Sequence, residues 1–422
     1  MPLLRTITRW DMLAIMINAT IGGGIYALPA EVYAKSGVWS IAAMMVCAVV
    51  ISLIVGCFAE VGSRFSRTGG SLVYAYEAFG AFAGFITGWL SLVLRLVSMA
   101  AIGNIAVSYA GFLGFGIQPQ SLAAGIVISV LITGLGLLNY FGIRPSLWLN
   151  NTFTIAKVIT LLLFVMVGLY FIKPAQFEMR ALPARHDFTA SILLMVFAFS
   201  GFDSAVTTTG EMKNPQRDIP YTLFRVLLFK TVLYLLVQIV CIGTLVTLAG
   251  SKKPLSEAAE TMLPGFGGWF ITIGALISFI ATLNGGMLVT SRICYGLVEQ
   301  KQLPAWFGAT HRRYKSPHIS IMLTTVAILF FALTNSLLVL LTITAMGRLL
   351  IYIITCAALI RLRQKAAAPA AAFIQPYGKI LAALGMVACI LILTGSNLNE
   401  WVMMGGVLAV GAVVWGTLQI KQ

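Results

Sequence analysis

Two short stretches hold the residue types best suited to binding chemistry. The first reads Ile17-Asn18-Ala19-Thr20-Ile21-Gly22-Gly23-Gly24-Ile25-Tyr26-Ala27-Leu28-Pro29. Each glycine inside a helix costs about 1 kcal/mol relative to alanine. Glycines that serve helix packing are usually spaced four apart, so three in a row predict an unwound stretch. The second reads Phe197-Ala198-Phe199-Ser200-Gly201-Phe202-Asp203-Ser204-Ala205. Its carboxylate is costly inside an apolar run unless it meets a partner or a water-filled cavity. Unwinding frees N–H groups on the helix that follows and C=O groups on the helix that precedes. The N–H end carries a positive dipole and suits a carboxylate; the C=O end suits an ammonium or another cation. One break can thus hold both ends of a zwitterion without any charged side chain.

A few charges sit in equally apolar surroundings. Asn150, Thr154 and Lys157 form a polar stripe at helical spacing. A lysine at mid-span costs several kcal/mol unless it faces a cavity or a partner. Thr344, Arg348 and Tyr352 share one helix face, since four-residue steps keep a face. That face borders a pocket or its outer gate, with Asp203 as a candidate ion partner for Arg348. Arg95 and Asn104 lie about half a turn apart around a helix, and Arg95 reads as structural. The two arginines argue against a dicationic ligand, because only Asp203 opposes them. Glu60 and Arg292 fall near span ends and would order loops or an inner gate. Asn284 and Ser291 share a face, and Gly285 and Gly286 leave room beside it.

These residues need a membrane to position them. The chain has 422 residues, 59% apolar and 10% charged, against about 25% charged in soluble domains. In water such a chain would expose large apolar patches. An ordinary soluble enzyme, a nucleic-acid-binding domain and a disordered chain are therefore excluded. A spanning helix needs roughly 20 apolar residues. Twelve apolar segments can be marked, at 11–33, 37–62, 84–113, 121–140, 150–172, 189–209, 222–249, 267–298, 317–334, 337–362, 377–395 and 400–420. Several are long enough to imply tilt, a break or extension beyond the bilayer.

The net charge of +15 then becomes a topological label. With both termini on one side, sixteen Lys and Arg fall there, against Lys35, Lys173, Arg180, Arg185, Lys252 and Lys253 on the other. The asymmetry predicts cytoplasmic termini on a multi-pass protein of the cytoplasmic (inner) membrane. The charge is spread over many short loops, so no nucleic acid is expected as a partner. A cleaved signal peptide is not expected either. The six cysteines form no CxxC pair and read as buried small hydrophobes. The spans contain no nucleophile with a base and no paired carboxylates. No enzyme activity, metal or cofactor is expected.

Segments one and six correspond if segments 1–5 and 6–10 are structural repeats. A pair of interrupted spans at matching places is the best sequence pointer to a transport site. The organisation follows as a first repeat over 1–172, a second over 189–362 and an appended pair over 377–420.

Several stretches resemble motifs of the amino acid–polyamine–organocation superfamily of permeases. They are Ile21-Gly22-Gly23-Gly24-Ile25-Tyr26, Thr68-Gly69-Gly70-Ser71, Phe199-Ser200-Gly201-Phe202-Asp203, Glu211-Met212-Lys213-Asn214-Pro215-Gln216-Arg217-Asp218-Ile219-Pro220, Ser291-Arg292 and Leu303-Pro304. The resemblance runs over about the first ten spans. It implies an all-α polytopic membrane protein of 12 transmembrane helices. These would form a 5+5 inverted repeat with broken helices 1 and 6, plus two C-terminal helices. It implies a secondary active transporter of amino acids working by alternating access, segments 1, 2, 6 and 7 rocking against the rest. The alternative is a polyamine or cationic amino acid antiporter; a channel suits two broken helices less well.

The resemblance also implies residue roles. The substrate carboxylate would sit on the N–H groups of Gly22, Gly23 and Gly24. The ammonium would face the carbonyls of Ala19, Thr20 and Ile21, with those of Phe197 and Ser200. Phe202 matches an aromatic gate, and Phe197 a substrate-covering tryptophan of the arginine–agmatine antiporter; apolar packing is the other reading of both. Asn104, in Gly103-Asn104-Ile105-Ala106, would touch the substrate side chain or else make a close helix contact. In some relatives a lysine matching Lys157 reaches the span-one break, where sodium sits in sodium-coupled cousins. No sodium requirement is expected, and coupling is to protons or to exchange. Lys157 either helps couple a proton or holds span one. The implied partners are a small-molecule substrate, an amino acid, with protons if transport is proton-coupled, and the lipid bilayer, with the chain a monomer or homodimer.

Overall fold

The computed structural model describes residues 8–65, 69–113, 117, 121–141, 144–178, 181–206, 212–299, 305–311, 314, 316–366 and 368–419. Thr68, Glu211, Leu303, Pro304 and the side chains of Asn150, Ser291 and Arg292 lie outside that description.

The chain opens with two short helices, α1 (Arg9–Thr20) and α2 (Gly24–Ser36), where one apolar segment stood. Long α3 (Ser40–Arg64) follows, then α4 (Ser71–Phe79), α5 (Ala81–Ala110), α6 (Leu122–Phe141) and α7 (Arg144–Tyr170). The second interrupted segment gives α8 (Arg185–Phe199) and α9 (Asp203–Val206). Next come α10 (Pro215–Thr244), α11 (Pro254–Met262), α12 (Gly267–Glu299), α13 (His318–Thr334), α14 (Leu337–Gln364), α15 (Gly378–Leu393) and α16 (Leu398–Gln419). Eight helical stretches among the described residues are long and apolar enough to cross a membrane, and α13 and α15 are shorter apolar helices. At 33 residues α12 is about 50 Å long, well beyond a hydrocarbon core of about 30 Å.

Local chemistry sets many of the boundaries. Pro215 stands at the first turn of α10, with Asp218 beside the positive end of its dipole. The Ser336 side chain accepts from the Val339 N–H and caps α14. Arg361 and Arg363 complement the other end of that helix. Gly80, at φ +94°, divides α4 from α5. Helices α4 and α11 fall in stretches that hydropathy left as loops. In α11, Pro254 and Glu257 start the helix, while Leu255, Ala258, Ala259 and Met262 are buried. Likewise α10 begins seven residues before its apolar segment, because its first turn is polar.

The outer faces are apolar. Val402, Val410 and Val413 on α16, Ile126 and Val130 on α6, and Met322, Val326 and Phe330 on α13 are all exposed. In water such a belt would drive aggregation; against lipid it is the expected surface. The broken pairs lie inside. Helix α2 packs on α8, and α1 packs on α9 and α10, while α3, α5, α7, α12 and α14 contact one or more of the four. The described cysteines, Cys47, Cys57, Cys241, Cys356 and Cys389, are free and buried.

Candidate functional site

The first break is Ile21-Gly22-Gly23. Ile21 still donates to the Ile17 carbonyl at 2.9 Å, and Tyr26 and Ala27 return to the Gly23 carbonyl at 3.1 and 3.2 Å. Between these bonds no carbonyl among the described residues accepts from the N–H of Gly22 or Gly23. A Cβ on Gly24 would lie 2.9 Å from the Ala198 Cα on α8, and one on Gly23 would lie 2.8 Å from Ile105 Cδ1. Gly22 is looser: a Cβ would meet Thr282 Cγ2 at 3.5 Å, and the residue keeps partial exposure.

The second break is Ser200-Gly201-Phe202. Gly201 takes φ +99°, a conformation that favours glycine. A Cβ there would stand 2.6 Å from the Ala19 carbonyl oxygen. The two breaks therefore touch, the turn of the second lying against the end of α1. Phe197 is buried and its ring packs beside Gly24. Its carbonyl accepts from the Ser200 hydroxyl at 2.7 Å.

Each break has a lysine at its carbonyl end. Lys157 on α7 is fully buried, and its Nζ donates to the carbonyls of Asn18 and Ile21, both at 2.9 Å. It also donates to Asn18 Oδ1. All three ammonium protons are used, at the end of α1 where the dipole is negative. On α10, Lys230 Nζ donates to the Ser200 carbonyl at 3.1 Å. It lies 5.6 Å from the Phe199 ring centre and 5.3 Å from that of Tyr234.

Lys230 heads a stripe that sequence reasoning missed. One turn on, the Tyr234 hydroxyl donates to the Thr20 carbonyl at 3.1 Å. Another turn on, Gln238 Nε2 donates to the Pro29 carbonyl at 3.3 Å and Ser40 Oγ at 3.0 Å. The signal was present as polar residues at four-residue spacing in an apolar segment. Most carbonyls assigned to an ammonium already have a protein donor: Thr20 from Tyr234, Ile21 from Lys157, Ser200 from Lys230 and Phe197 from Ser200.

A second cluster adjoins the breaks. Arg348 Nη1 donates to Asp203 Oδ2, and both residues are buried. Tyr352, one turn along α14, stacks on Phe202 at 5.2 Å, and Phe58 meets both rings edge-on. Thr344 shares that face but is buried, its hydroxyl donating to the Leu340 carbonyl at 2.8 Å. Asn104 is turned elsewhere. Its Nδ2 donates to the Ala332 carbonyl on α13 at 3.1 Å and to Ala100 at 3.2 Å. The α5 side chains against the first break are instead Ile102 and Ile105.

Closures stand on both sides. Tyr26, Tyr109 and Phe279 form an edge-to-face cluster with ring centres 5.1 to 5.7 Å apart, and the Tyr109 hydroxyl donates to the Tyr26 carbonyl at 2.7 Å. Buried Glu60 on α3 accepts from Arg64 at 3.1 Å, from Arg363 Nε at 2.8 Å and from the Gln375 N–H at 2.9 Å. Arg9 pairs with Asp218 at 3.0 Å and ties α1 to α10. A shallow cavity of about 340 Å³ lies away from the breaks, lined by Phe112, Leu245, Thr247, Glu257, Glu260 and Thr261.

Known proteins share this chain's sequence pattern over nearly its full length. A family model described as amino acid permease matches residues 7–418. The methylthioribose transporter of Bacillus subtilis is 25% identical, the alignment covering 98% of this chain and 93% of the relative. The branched-chain amino acid permease BcaP of the same organism is 25% identical, covering 98% and 91%. The serine/threonine exchanger SteT is 28% identical, covering 73% and 72%.

Proposed function

The chain belongs to the amino acid permease family, and from that premise we propose a secondary active transporter that moves amino acids across the cytoplasmic membrane by alternating access. Transport, not catalysis, is the business of this family and of the relatives it matches. The observation that carries the reading is the contact between two breaks in matching helices. Free N–H groups of Gly22 and Gly23 stand there beside carbonyls of α1 and α8. The architecture proposed is twelve spans with cytoplasmic termini, five-helix inverted repeats over 1–172 and 189–362, and the pair over 377–420.

The substrate carboxylate is assigned to the N–H groups of Gly22, Gly23 and Gly24. The ammonium is assigned to the Ala19 carbonyl and to second lone pairs on Thr20, Ile21 and Ser200, since each carbonyl can accept twice; the Phe197 carbonyl already accepts from both the hydroxyl and the N–H of Ser200, which leaves Phe197 as a proposed wall of the site. Thr344 and Asn104 remain proposed determinants of the side-chain end. Phe202, Asp203, Arg348 and Tyr352 are assigned to the gate below it. Lys157 occupies the carbonyl end of α1 that a sodium ion would need, which supports proton coupling or exchange. The basic residues near Asp203 weigh against a polyamine or cationic amino acid. Uptake and exchange of labelled amino acids in proteoliposomes tests this reading. Transport of at least one amino acid is expected; none across a full panel would refute it, and sodium-dependent transport would refute the role given to Lys157.

A further inference from the structure

The charges around the second break do not balance. Arg348 and Asp203 form a buried pair. Arg95 on α5 follows Leu94, whose Cδ2 lies directly against the place where a Cβ on Gly347, the neighbour of Arg348, would stand. No carboxylate among the described residues is within ion-pair distance of Arg95. Arg95 sits two turns along α5 from Ile102, on the face that meets the first break, and it keeps partial exposure. Lys230 approaches the second break from α10, almost fully buried and donating to the Ser200 carbonyl. Two arginines on neighbouring helices thus share one carboxylate, and buried charge without a counter-charge is costly.

The same place holds unmade hydrogen bonds. Arg348 Nε, Tyr352 Oη and Asp203 Oδ1 are buried without a hydrogen-bond partner. Buried polar groups are nearly always paired in native proteins. Two of the three atoms are donors, carried by residues one helical turn apart on α14. Free donors beside excess positive charge form a receptor for the oxygens of an anion. A simple zwitterion brings no net charge and its one carboxylate goes to the first break. The second cluster is left for another acidic group.

We infer that the substrate is an acidic amino acid, whose side-chain carboxylate is received by Arg348 Nε, the Tyr352 hydroxyl and Arg95. This rests on the amino acid transporter reading above. Asp203 holds Arg348 in place through its other nitrogen, so the guanidinium presents a fixed edge.

Competition against a labelled amino acid, measured on the full-length protein in lipid nanodiscs, tests it. Glutamate and aspartate should compete at concentrations at least tenfold lower than glutamine and asparagine. Arg95→Gln should bring that ratio close to one. Arg348→Gln alone strands Asp203, so the pair is tested as Asp203→Asn with Arg348→Gln, folding being verified by size-exclusion chromatography; the acidic preference should again vanish. Amides that compete as well as the acids would overturn the inference and leave the transporter reading standing. Retention of the acidic preference in both variants would overturn the residue assignment. Binding of no amino acid at all would overturn both readings.

Discussion

Gly201 is the residue least able to change. Its left-handed φ and the Ala19 carbonyl 2.6 Å from a would-be Cβ both exclude a side chain. Gly201→Ala should cost about 1–3 kcal/mol, read as a clear fall in melting temperature in detergent; an unchanged value would mean that the second break does not rest on α1. Lys157 is argued at the same scale. Lys157→Ala removes the donors to Asn18 and Ile21 and should impair transport more than folding. Wild-type pH dependence in that variant would take Lys157 out of proton coupling. Lys157 was legible because Thr154 and Lys157 stand at helical spacing in an apolar segment. Lys230, Tyr234 and Gln238 carried the same kind of signal at four-residue spacing and were passed over, because a stripe does not say which helix end it meets. Asn104 shows the other limit: periodicity gives a face but not which neighbour that face meets.

At the scale of elements, the breaks were legible, and so was the stripe on α7 that carries one of their supports. Glycine runs and a mid-span carboxylate forecast where α1 and α8 end. The donors that hold those ends come from α7 and α10, and a local pattern marks a polar stripe without saying which distant helix it pairs with. Tyr234→Phe removes the donor to the Thr20 carbonyl and should cost about 1 kcal/mol. A melting temperature equal to wild type would show that the α10 stripe does not brace the first break. The closure around Glu60 should matter more, because Glu60→Gln leaves Arg64 and Arg363 without their carboxylate. About 3 kcal/mol of destabilisation is expected. A variant as stable as wild type would show that the cluster does not join α3 to α14. Helices α4 and α11 escaped hydropathy because short amphipathic helices bury one face without being apolar throughout.

At the scale of the whole molecule, composition already required a membrane, and the apolar belt on α6, α13 and α16 agrees with it. Charge along the sequence gives an expectation of orientation and says nothing of the geometry of the interior. The interior is where the few polar residues matter. Aromatic clusters flank the breaks, and ion pairs seal the end that carries Arg9 and Glu60. The interior is therefore held together by several small contacts between helices. With Lys157 at the carbonyl end of α1, uptake should be the same in sodium and in choline buffers, within about twofold on the scale where 1.4 kcal/mol is tenfold. A tenfold dependence on sodium would place a cation where Lys157 now stands.

The central claim is that an amino acid binds across the two touching breaks. Its most direct test compares wild type with Gly23→Leu in a proteoliposome exchange assay, both shown to be folded and inserted. The leucine side chain would occupy the N–H end of α2, so exchange of labelled amino acid should fall to background while wild type exchanges. Exchange by Gly23→Leu at the wild-type rate would contradict the account.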